Sequence, residues 1–242
     1  MIGRYVIAVV VALGTAACSE SPSSPSDQQP SATAPRVAPG TWAVLGASTP
    51  AGFSVSAPSQ AWVARLQAAV AGNGVTVVNL SLPGLVTYNW MSLSAPVPPG
   101  RMAPFPANNI DAAMAQQPKL LLLNATNNDL VVGYSPDETV ANLLAIRAIA
   151  VAGGATVLML STQPRDLPDA ARASLPVIDA RLAPTFGDCF VDIRTPLAAA
   201  DNRLLPVYDS GDGIHPNDAG HAVIFQRVDL ALQSGRCVAA PH

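Results

Sequence analysis

From Trp42 onward, short apolar runs alternate with longer segments of helical composition. A strand that is apolar at every position needs cover on both faces, and a parallel sheet between two helical layers supplies it. Runs at 43–46, 75–80, 120–124, 156–160 and 190–193 read as strands, with helices between them at roughly 59–72, 108–116, 137–152 and 169–183. A last helix is expected at 217–233, with Pro216 near its first turn, Asp218 close behind, and Phe225, Val228 and Leu232 spaced to share one buried face. The fold class expected is α/β, a three-layer α/β/α doubly wound arrangement of flavodoxin-like type around a five-stranded parallel sheet. Sequence alone leaves the order of the strands open.

Composition then narrows the function. Half of the 242 residues are apolar and 12% are charged, which excludes a disordered chain and gives one domain ample core. Thirteen Lys and Arg stand against sixteen Asp and Glu, for a net charge of -3, and the basic residues are scattered without aromatic interleaving. Nucleic acid is not expected as a partner.

The N-terminal residues read as an address. Arg4 precedes an apolar run from Tyr5 to Ala17 that is too short to span a bilayer and suits a secretory signal at 1–17. Thr15-Ala16-Ala17-Cys18 resembles a bacterial lipobox, with Thr15 where that motif usually has Leu, and makes Cys18 the expected lipidation site. Simple cleavage after Ala17 and an uncleaved anchor are the alternatives. All three put the folded domain, expected over 41–242, outside the cytoplasm, either held to the bacterial envelope by its lipid alone or secreted. Residues 18–40 read as a tether, since positions 19–40 hold six Ser and five Pro in 22 residues and cannot bury a core.

In doubly wound sheets, ligands bind beyond the carboxyl ends of the strands. The segments that follow the expected strands are polar: Gly46-Ala47-Ser48-Thr49, Leu82-Pro83-Gly84, Thr126-Asn127-Asn128-Asp129, Thr162-Gln163-Pro164-Arg165, and 209–216. Singly, each has an ordinary structural use. Ser48 can cap a helix, Gly84 can make a turn, Asn128 can cap a loop, and Asp212 with His215 can be a surface ion pair. Together they place a nucleophile candidate, a glycine, an amide and a carboxylate–imidazole pair on one rim.

That set resembles the SGNH, or GDSL-like, esterases and lipases. The four blocks are GAST at 46–49, Gly84 in NLSLPG, Asn128 in NND, and DGIHP at 212–216, and the resemblance covers about residues 42–233. The stretch YDSGDGIHPNDAGHAVIFQR at 208–227 is the most specific part. The chain departs from the pattern in having Ala47 where the GDS motif has Asp, and Asn127 where Ser or Thr often precedes the Asn.

The resemblance implies a serine hydrolase with Ser48, His215 and Asp212 as its triad. A serine hydroxyl becomes a useful nucleophile when an imidazole takes its proton and a carboxylate holds that imidazole. The oxyanion hole would be the backbone N–H groups of Ser48 and Gly84 and the side-chain amide of Asn128. No G-x-S-x-G elbow is present, which argues against the α/β-hydrolase alternative.

Other residues invite weaker readings. Arg101 and Arg165 are candidates for substrate contact, beside the commoner use of loop arginines in solvent. Asp212, His215, Asp218 and His221 form no recognised metal-hydrolase spacing, so neither metal nor cofactor is expected. The proline-rich stretch at 96–106 is either a loop over the cleft or a rigid connection. With Cys18 acylated, Cys189 and Cys237 remain as an even pair in an oxidising compartment, at the start of the last strand and past the last helix. A disulfide is expected, with two unpaired buried thiols as the alternative.

The function expected is an exported serine ester hydrolase acting on a small-molecule or polymer-borne ester, with a short acyl group such as acetyl on a saccharide or envelope polymer leading. A lipid or thioester acyl hydrolase is the nearest competitor, and an inactive binding lipoprotein stands in a different class. Oligomeric state is not legible.

Overall fold

The computed structural model describes residues 38–237. The expected signal, Cys18 and most of the tether lie outside the described residues. Five strands, β1 (Gly40–Leu45), β2 (Val75–Asn79), β3 (Leu120–Asn124), β4 (Thr156–Leu160) and β5 (Phe190–Val191), form one sheet in the order β2-β1-β3-β4-β5. Every neighbouring pair is parallel. This is the flavodoxin-like order, and its switch point lies between β1 and β3, where a crevice opens beyond the strand ends.

The helices are α1 (Trp62–Val70), α2 (Thr87–Trp90), α3 (Ile110–Ala115), α4 (Asn128–Val131), α5 (Pro136–Ala152), α6 (Asp169–Phe186), α7 (Arg194–Leu197) and α8 (Asp218–Ser234). Successive strand residues point to opposite faces, and the core divides accordingly. Trp42, Val44, Leu120, Leu122, Leu158 and Leu160 pack with Leu66 of α1 and Val228 of α8. Ala43, Leu45, Leu121, Leu123, Val157 and Met159 pack with Ile110 of α3, Leu143 of α5 and Ile178 of α6. The fold is thus a three-layer α/β/α sandwich around a five-stranded parallel sheet.

β3 and β4 run over the residues that their apolar runs predict. β1 begins earlier than expected, because Gly40 and Thr41 already pair with Val75 and Thr76. β5 stops short of residue 193, since the N–H groups of Ile193 and Arg194 donate to Ser161 Oγ at 2.9 and 3.0 Å. Asn217 lies outside α8 as its cap, accepting the N–H groups of Ala219 and Gly220. The buried stripe of α8 is His221, Ile224, Val228 and Leu232, while Phe225, expected on that face, is only partly buried.

At the end of the sheet opposite the strand carboxyl ends, Cys189 just before β5 is joined to Cys237 by a disulfide. On the edge strand, the N–H of Val77 is taken by Gln67 Oε1 of α1 at 2.9 Å. No helix among the described residues is long and apolar enough to cross a membrane.

Candidate active site

Ser48 leaves the carboxyl end of β1 in a tight turn. A Cβ on Gly46 would lie 2.3 Å from Pro50 Cγ, so only glycine lets the chain fold back this closely. The turn is closed by Gly52 N–H on Thr49 O at 3.0 Å and Phe53 N–H on Ser48 O at 3.0 Å.

The 209–216 loop brings the imidazole to it. Asp209 Oδ1 accepts the N–H groups of Gly211 and Gly213 at 2.9 and 3.0 Å. Asp212 Oδ1 accepts those of Ile214 and His215, both at 2.8 Å. Its Oδ2 takes His215 Nδ1–H at 2.6 Å, and His215 Nε2 stands 3.0 Å from Ser48 Oγ. A carboxylate only accepts, so the proton sits on Nδ1 and the Nε2 lone pair faces the serine hydroxyl. Burial pushes Asp212 upward, but the bonds from His215 and Ile214 outweigh it and hold the carboxyl at about 2. It is ionised at any pH where an imidazole can act as base. The half-exposed Phe53 ring lies 4.5 Å from the imidazole and screens it from solvent.

Across the crevice, the β3 exit supplies the amide. Asn128 opens α4, with its N–H on Thr126 Oγ1 at 3.1 Å and its Nδ2 on Leu85 O at 2.9 Å. Gly84 sits before Leu85 at φ +84°, where a Cβ would meet nothing within 4 Å, so backbone conformation rather than space calls for glycine. Among the described residues, the N–H groups of Ser48 and Gly84 donate to no protein acceptor. Asp129, next to Asn128 and fully buried, accepts Thr87 N–H at 2.8 Å, Thr87 Oγ1 at 2.5 Å and Thr139 Oγ1 at 2.9 Å. Burial raises its pKa against those bonds. The carboxyl binds α2, which follows Gly84, to α4 and α5, and so fixes the spacing of the two donor segments.

Sequence reasoning passed over Gln163, the residue that joins these parts. Its Oε1 accepts Thr49 Oγ1–H at 2.5 Å, its Nε2 donates to Ile214 O at 2.7 Å, and its carbonyl accepts Asn127 Nδ2 at 3.1 Å. One buried side chain thereby ties the Ser48 turn to the His215 loop. Its place after β4 was a signal; its chemistry matched no motif.

Of the two arginines expected to reach substrate, Arg101 is engaged on Glu138 of α5 at 2.5 Å, with its guanidinium 4.6 Å from the centre of the Tyr134 ring. It fastens the proline-rich loop to α5. Arg165 lines the cleft beside Ser48, with its guanidinium on the side chains of Asn127 and Asn128. Asp218 and His221 have partners of their own: the Asp218 carboxylate takes Ser56 N–H and Oγ–H, and His221 Nδ1 accepts Trp62 N–H.

Residues 44–223 match the model of the GDSL-like lipase/acylhydrolase family. The chain belongs to that family. As a member it is a serine esterase, a hydrolase of ester bonds. Solved structures share the fold: that of TesA is 22% identical, with 81% of this chain and 99% of that one covered and a TM-score of 0.61. An acetylxylan esterase from Geobacillus stearothermophilus, solved as a catalytic mutant, is 16% identical over 80% of this chain and 94% of its own, at a TM-score of 0.60. A two-domain esterase active on acetylated mannans is 15% identical, with 84% of this chain and 52% of that one covered, at a TM-score of 0.58. Comparison with curated protein sequences finds no match.

Proposed function

We propose that this esterase removes short acyl groups, acetyl foremost, from a saccharide or envelope polymer outside the cytoplasm. The observation that carries the reading is the size of the cleft between Ser48 and Asn128. Its inner part holds about 20 Å³ of space, lined by Thr49, Asn127, Gln163 and Arg165 among others, and it opens to solvent. A single water needs roughly 10–15 Å³ on this measure, so the inner space suits a methyl-sized group. The names of two relatives, an acetylxylan esterase and an esterase of acetylated mannans, support the same substrate class.

In this mechanism Ser48 Oγ attacks the ester carbonyl as His215 Nε2 takes its proton, and Asp212 stabilises the imidazolium. The carbonyl oxygen becomes an oxyanion that receives the N–H groups of Ser48 and Gly84 and one Nδ2–H of Asn128. The tetrahedral intermediate collapses, His215 returns the proton to the departing alcohol, and Ser48 is left acylated. Water, deprotonated by the same imidazole, then releases the carboxylic acid and restores the serine.

A longer-chain acyl substrate is the second reading, favoured by the exposure of Phe53, Leu82 and Val131 on the segments that carry the reacting groups. One experiment tests both. On p-nitrophenyl acetate, butyrate and octanoate, kcat/KM is expected to be highest for acetate and at least tenfold lower for octanoate, and Ser48→Ala is expected to abolish all three activities. A maximum at octanoate would replace the acetyl reading with the second. The envelope location and the lipid on Cys18 are tested separately by metabolic labelling with a fatty acid, which Cys18→Ala should abolish.

A further inference from the structure

Arg165 approaches the site from the loop after β4, outside the four motif blocks. Its stem is held from two sides, by its own N–H on Asn202 O at 3.2 Å and by the neighbouring Asp166 N–H on Gly213 O at 2.7 Å. From there one guanidinium nitrogen, Nη1, donates to Asn128 Oδ1 at 2.8 Å and to Asn127 Oδ1 at 3.1 Å.

The sense of these bonds is fixed by chemistry. A guanidinium has no acceptor, so an amide that meets it must present oxygen. The Leu85 carbonyl has no donor, so the amide end that meets it at 2.9 Å must be Nδ2. Partners of opposite kind at the two ends leave the Asn128 amide one orientation, with one Nδ2–H on Leu85 and the other available. Without the arginine, the Leu85 carbonyl alone would set the orientation. A half-turn of the amide, which would set an oxygen lone pair where the intermediate's negative charge develops, would then be opposed by one partner instead of two. The bond is also charge-assisted and half-buried, which makes it roughly twice as strong as a neutral one and polarises the N–H groups of the same amide.

We propose that Arg165 is a positioning residue of the oxyanion hole, acting through Asn128 by fixing and polarising its amide rather than by touching substrate. This rests on the ester-hydrolase reading above, with Asn128 as a donor. It assigns the cation in the cleft to the stabilisation of a developing charge, so the substrate itself need carry no anionic group.

A double-mutant cycle on the full chain tests it, with p-nitrophenyl acetate as the probe. Arg165→Met is expected to lower kcat about 10–100-fold with KM within about threefold, and Arg165→Lys, which keeps the charge and loses the fork, to lose less. In an Asn128→Ala background, where no amide remains to be held, Arg165→Met is expected to change kcat by less than about threefold. A rise in KM with kcat intact, or a full loss that persists in the Asn128→Ala background, would overturn the proposal and make Arg165 a substrate contact. If Asn128→Ala alone left kcat unchanged, the oxyanion assignment beneath it would fall first. Thermal unfolding of each variant checks the fold, and should Arg165→Met not fold, Arg165→Lys runs through the same cycle with the same criteria.

Discussion

His221 makes the stability of this esterase depend on pH in a way that can be worked out from its surroundings. The side chain is fully buried on α8, and its Nδ1 accepts the N–H of Trp62 at the start of α1 at 3.2 Å. That bond requires an unprotonated Nδ1. Burial pushes the imidazole down to about 4, with Phe53 and Asp218 pulling upward and Arg65 and His215 adding to the fall. In the unfolded chain it would titrate at about 6.5. The unfolded state therefore binds the proton at a higher pH than the native state, so the contribution is fully present above about pH 6.5 and is lost as pH falls toward 4. At about 1.4 kcal/mol per pH unit, the gap is worth about 3 kcal/mol, a large part of a typical domain's margin. Asp212 and Glu138, both held at about 2, lose their contributions below this window. Asp129 and Asp179, both raised by burial, act with the opposite sign. His221→Asn isolates the effect, since an Asn Oδ1 can accept the Trp62 N–H without titrating. Urea unfolding followed by tryptophan fluorescence between pH 7 and pH 4 should show the wild type losing about 3 kcal/mol relative to the variant. Parallel stability curves for the two proteins would refute the reasoning.

Gln163→Ala should lower kcat on p-nitrophenyl acetate by roughly 10–100-fold with KM little changed, because it releases the Ser48 turn from the His215 loop. An unchanged kcat would show that the turns hold their spacing unaided. Asp212→Asn should lower kcat by about 10³–10⁴ at neutral pH, the expected result of losing the acceptor that holds the proton on Nδ1. Replacing both Cys189 and Cys237 with Ala should cost about 4 kcal/mol in the chain-entropy model for a separation of 48 residues, measured by urea unfolding, with kcat within twofold of wild type.

The layers of the fold were legible because the strands are apolar on both faces: LLLLN at 120–124 and TVLML at 156–160 leave no other use for such runs. α2, α4 and α7 were not, since four residues carry no periodicity to read. Ser48, Gly84, Asn128, Asp212 and His215 stood out only as a set, because residues that are ordinary one by one follow in the order of the GDSL-like blocks. Of the residues that position them, Gln163 and Asp129 did not, and Arg165 did only as a candidate for substrate contact, because all three act through bonds between segments far apart in the chain. Arg101 shows the same limit from the other side: nothing local announces that its partner is Glu138, 37 residues away.

The helix α8 begins just after the His215 loop and ends three residues before a covalent tie to the residue preceding β5. A C-terminal helix is an ordinary place for a domain to open locally, and here such an opening would carry the catalytic base away with it. The Cys189–Cys237 bond closes that route, because the far end of the helix cannot leave without β5. The disulfide thus governs how long activity survives rather than how fast it runs, and reduction should shorten the half-life of the enzyme at elevated temperature while the initial rate stays the same.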